Sequence, residues 1–89
     1  MKEIVICAAV RAKDGKVIIG HRHNFAMRTM NVIPGYENER PNGDDQGFIT
    51  SMNRYVNREE GYKLQIEAGI PSKDPGGYRG GELFSEDLY

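Results

Sequence analysis

The chain has 89 residues, 38% of them hydrophobic and 28% charged, with twelve Lys and Arg against thirteen Asp and Glu for a formal net charge of −1. That length holds a single domain, residues 1–89, since domains usually contain about 100 to 150 residues. A near-neutral balance supplies no overall field for a polyphosphate backbone, which argues against DNA binding, and no apolar run approaches the roughly 18 residues of a membrane span.

In chain order, residues 3 to 11 are a near-continuous β-favouring apolar run, and residues 16 to 20 form a second. Asp14-Gly15 between them predicts a type I′ hairpin. Cys7, the only cysteine, excludes an internal disulfide and reads as a core thiol. The apolar start lacks a signal peptide's longer h-region and cleavage site, so the cytoplasm is the expected compartment.

Phe25, Ala26, Met27 and Met30 carry a weak helical spacing over residues 21 to 31, which predicts a short helix or an irregular crossover. Pro34-Gly35 opens a polar segment through Asp45, expected to be an exposed and mobile loop. Residues 46 to 50 and 54 to 56 are two short β-type runs separated by Ser51-Met52-Asn53, a second and tighter hairpin. Asn57 as N-cap and Glu60 at N3 then predict a capped helix, with Tyr62 and Ile66 on one side, stopped by Gly69 and Pro71. After a glycine-rich loop over residues 72 to 81, Leu83, Phe84, Leu88 and Tyr89 form an apolar tail expected to dock on the sheet or on a partner subunit. The fold class is α+β: a small antiparallel sheet from two hairpins with one or two short helices.

Catalytic chemistry finds little support, and no catalytic residue is assigned. Arg58-Glu59-Glu60-Gly61 echoes part of the Nudix hydrolase helix, but the upstream glycine and glutamate that would complete a Mg²⁺ site are missing. His21 and His23 share one face of an extended chain yet lack a third ligand, so no metal or other cofactor is expected. Ser51, Ser72 and Ser85 have no nucleophile-elbow setting. The parts of a nucleotide pocket are present in outline: glycines around Tyr78-Arg79, further arginines at Arg22, Arg28 and Arg58, and rings at Phe48 and Tyr78. A plain flexible connector and solvated charges explain the same residues as well.

The order Ile6-Cys7-Ala8-Ala9, Gly20-His21-Arg22-His23, Gln46-Gly47-Phe48-Ile49, Asn57-Arg58-Glu59-Glu60 and the ending Leu83-Phe84-Ser85-Glu86-Asp87-Leu88-Tyr89 resembles small bacteriophage proteins that include the first-described class of Thoeris anti-defence sponges. The resemblance spans nearly the whole chain. It implies non-catalytic sequestration of a cyclic ADP-ribose isomer or a related cyclic nucleotide in the cytoplasm of the infected bacterial host, with dimers building a hexamer and ligand at subunit interfaces. By motif position it implies that Phe48 stacks on the adenine while Arg22, Asn57 and Arg79 contact ribose and phosphate. Gly61 departs from the alanine expected there, and the polar loop from Tyr36 to Asp45 has no sure counterpart. Two other readings stay open: a phage protein that binds a host protein through its apolar tail, and a small nucleotide-processing enzyme.

Overall fold

The computed structural model describes residues 2–89 and folds them as a four-stranded antiparallel sheet with two α-helices, the predicted α+β class. Strands β1 (Val5–Arg11) and β2 (Val17–Gly20) form the first hairpin, β3 (Gln46–Thr50) and β4 (Tyr55–Val56) the second. The hairpins join through β1 and β3, giving the order β2-β1-β3-β4. β1 takes a central place because its unbroken apolar run tolerates cover on both faces, and Ala8, Ala9 and Val10 are all fully buried.

Both hairpins turn in the same way, so the second is no tighter than the first. Ala12 N–H bonds to Lys16 O at 2.8 Å and Gly15 N–H to Ala12 O at 2.9 Å; Thr50 N–H bonds to Arg54 O at 3.0 Å and Asn53 N–H to Thr50 O at 2.9 Å. Positive φ falls only on the residue closing each turn, Gly15 at 91° and Asn53 at 59°. A type I′ turn needs two successive positive φ values, so the expected type gives way to a type I turn followed by a left-handed residue.

The pairs Ala8–Phe48, Val10–Ile18 and Phe48–Val56 set one face of the sheet, and both helices cover it. Helix α1 (His23–Asn31) buries Ala26 and Met30 against Val10 and Ile18. Helix α2 (Arg58–Glu67) closes over Phe48 and Val5. Its buried positions are Gly61 and Gln65, whereas Ile66 is half exposed, so the inward side is not the one the apolar spacing suggested. Gly61 explains the change: a β-carbon there would stand 3.0 Å from Leu83 Cδ2 and 3.4 Å from Phe48 Cδ2. The glycine costs about 1 kcal/mol in helix propensity and lets the helix approach the sheet. Gln65 adds a buried hydrogen bond, its Oε1 accepting from Val5 N–H at 2.9 Å. Cys7 lies half-buried on the other face, paired with Ile49, and so is not a core thiol.

The helix ends follow their local signals. Asn57 Oδ1 accepts from Glu60 N–H at 2.9 Å and Glu60 Oε1 accepts from Asn57 N–H at 3.3 Å, the predicted capping box. At the other end Gly69 N–H bonds to Ile66 O and Ile70 N–H to Gln65 O, with Gly69 at φ 72°. The polar loop after Pro34 is held by Asn31, whose Nδ2 donates to the carbonyls of Tyr36 and Glu39, and ends in a 3-10 turn, Gly43–Asp45, capped by Asn42.

The C-terminal tail docks on its own chain. Leu83 N–H bonds to Arg58 O at 3.0 Å, and the leucine side chain is fully buried with Val5, Phe48 and Val56. A second 3-10 turn, Ser85–Asp87, is fixed by Asp87, whose buried carboxylate accepts from Phe84 N–H at 2.9 Å and from the Ser72 hydroxyl. Leu83 is thus spent within the chain, whereas Phe84 and Leu88 are half-buried and Tyr89 is exposed.

Candidate functional site

A cleft of about 510 Å³ opens where the start of α1, the start of α2 and the tail meet. Arg22 stands at the N-cap of α1 in extended backbone and offers no side-chain hydrogen bond to the helix. The first N–H groups of a helix have no partner within it and carry the positive end of its dipole. Here those of His23, Asn24 and Phe25, residues that line the cleft, receive no side-chain cap.

Two guanidinium groups frame this helix start. Arg22 Nη2 donates to Tyr89 O at 2.9 Å, while its Nη1 lies 3.7 Å from a Glu86 carboxylate oxygen and 3.5 Å from Ser85 Oγ. Arg58, the first residue of α2, places its Cζ 5.2 Å from the centre of the Phe84 ring and donates from Nη2 to Gln46 Oε1 at 3.3 Å. Its Nε is buried without a hydrogen-bond partner. A buried, unpaired donor on a charged group costs roughly 1–3 kcal/mol or more.

His23 closes the floor. Its Nε2 donates to Gly47 O at 2.8 Å and its ring meets Phe48 edge-on at 5.1 Å. Burial pushes the imidazole below its ordinary pKa, and Arg58 acts in the same direction against the raising effects of Gly47 and Glu86. The ring is therefore neutral at pH 7 and contributes no charge. His21 lies apart, stacked on Tyr89 at 3.8 Å, so the two histidines do not form a metal pair. Among the described residues no three His, Cys, Asp or Glu side chains converge to hold a metal ion.

The four residues expected to bind ligand fall in different places. Arg22 lines the cleft. Arg79 is not among the residues lining the cleft; its Cζ lies 5.1 Å from the centre of the Phe84 ring and its Nη2 is bonded to Asp74 at 3.1 Å. Asn57 spends its side-chain oxygen on Glu60 N–H and borders a second hollow of about 320 Å³, which it shares with Arg58 and with the carboxylates of Asp44, Glu59 and Glu82. Phe48 is fully buried among Val5, Ala8, Val56 and Leu83, so no ring face is left for a base to stack on. Tyr78 is likewise packed, edge-on to Tyr62.

The rings lining the cleft are instead Phe84, with the Arg58 and Arg79 guanidinium groups over it, and Phe25, half exposed with Arg28 at 5.5 Å from its centre. Neither ring is singled out for the pocket by sequence reasoning, which counts Arg58 among the arginines a nucleotide pocket could use but not among the four expected ligand contacts. One signal for this site was available: no Ser, Thr, Asp or Asn precedes the first turn of α1, so its start had to be left open.

Residues 4–89 match the family model for the phage T4 y16D protein. The chain belongs to that family. Comparison with curated proteins and with solved structures gave no match. Membership in the T4 y16D family marks the chain as a small phage protein and assigns it no ligand. No helix is long and apolar enough to cross a membrane.

Proposed function

We propose that this phage protein binds and sequesters a phosphate-bearing nucleotide without chemically altering it, and that the ligand lies in the cleft between Arg22 and Arg58. The observation that carries the reading is that Arg22 and Arg58 both line the cleft at the uncapped start of α1. Backbone N–H groups, two guanidinium forks and open rings at Phe25 and Phe84 are the groups that hold phosphates and stack bases. A cyclic ADP-ribose isomer or related cyclic nucleotide is the ligand the Thoeris-sponge resemblance implies, held inside the infected bacterium so that its receptor is starved of signal. A homo-oligomer belongs to the same proposal, and the exposed Ile6, Ile19, Val32, Met52 and Ile66 are among the apolar surface available to it. Binding of a host protein through the tail draws less support, because Leu83 is already spent within the chain.

Calorimetry with ADP-ribose and cyclic ADP-ribose isomers tests this. Wild-type protein is expected to bind, and Arg58→Ala to bind at least about tenfold more weakly, in line with roughly 1.5–3 kcal/mol for a charge-assisted hydrogen bond. Ligand released by denaturation should keep its mass and retention time. Breakdown scaling with protein concentration and time would mean an enzyme, and absence of binding to any of these nucleotides would overturn the reading.

A further inference from the structure

We infer that Glu86 is a selectivity residue of this cleft, an internal carboxylate that occupies Arg22 and weakens the binding of a single phosphate more than that of a diphosphate. The inference rests on the anion-binding reading above. The two guanidinium groups of the cleft differ in their partners. Arg58 has the neutral Gln46 amide and no carboxylate, whereas Arg22 has Glu86 at 3.7 Å.

The backbone under Glu86 is fixed and its side chain is not. Asp87 anchors the Ser85–Asp87 turn through Phe84 N–H and the Ser72 hydroxyl, and Lys73 N–H bonds to Asp87 O at 2.9 Å. The Glu86 side chain is 56% exposed, so its carboxylate has room to swing into water; that of Arg22 is 29% exposed and stays tethered to Tyr89 O. A single phosphate group therefore meets one guanidinium with no carboxylate in salt-bridge contact, Arg58. A diphosphate satisfies Arg58 with one phosphate and takes Arg22 from Glu86 with the other, a small loss because a long, exposed ion pair contributes little.

The test compares inorganic phosphate and pyrophosphate on wild type, Glu86→Gln and Arg58→Ala by calorimetry at fixed ionic strength. Matched thermal unfolding curves keep folding out of the comparison. Wild type is expected to prefer pyrophosphate. Glu86→Gln is expected to bind phosphate about threefold to fivefold more tightly than wild type, narrowing that preference. If both anions bind and depend on Arg58 while Glu86→Gln leaves their ratio unchanged, Glu86 has no selective role and the anion cleft stands. If neither wild type nor Glu86→Gln binds either anion, the cleft reading and this inference fall together.

Discussion

At the start of α2, Asn57 and Glu60 satisfy each other's backbone N–H groups, and Glu59 and Glu60 complement the dipole; at the start of α1, Arg22 fills the cap position and bonds to the tail instead of to the helix. α2 spends its capping residues on stability. α1 leaves its first N–H groups to a cleft lined by Arg22, Arg58 and Glu86, an arrangement that forgoes the stability a capping side chain supplies. The contrast teaches that in this fold the better-capped helix start is the structural one, and the poorly capped one is the place to look for a ligand.

The largest effect that would probe this division is at Phe48, which the structure assigns to packing under α2. Phe48→Ala should cost about 3–5 kcal/mol of unfolding free energy in urea titration, a large part of what a small domain has. A variant of unchanged stability that had only lost nucleotide binding would move Phe48 from the core to the site. A smaller effect is expected at the cap. Asn57→Ala should lower stability by about 1 kcal/mol and leave anion affinity within twofold of wild type, because its side-chain oxygen serves Glu60 N–H. A large affinity loss there would restore it as a ligand contact.

What the sequence disclosed was local. The hairpins, the Asn57 capping box and the Gly69 stop are each written in a few adjacent residues, and the structure contains all of them. Pairing of β1 with β3 joins residues some forty positions apart, with Ala8 opposite Phe48, and no adjacent residues announce it. Burial of Phe48 follows from that pairing together with Gly61 and Leu83, which lie in two further segments. The site shows the same division. Arg22 was legible as a candidate, but Arg58 beside Phe84 depends on the backbone bond from Leu83 N–H to Arg58 O, which brings the tail to the start of α2. The glycine-rich loop points to Arg79, and the fold leaves that residue outside the cleft's lining, paired with Asp74.

The difference between the two helix starts is measured most directly by following backbone amide resonances while pyrophosphate or ADP-ribose is added. Saturable shifts are expected at the amides of His23, Asn24 and Phe25 and at the Arg58 Nε–H, with the amides of Glu59, Glu60 and Gly61 moving far less. Larger shifts at the start of α2 than at α1, or no saturable shift at either, would contradict the assignment of α1 as the anion-binding end.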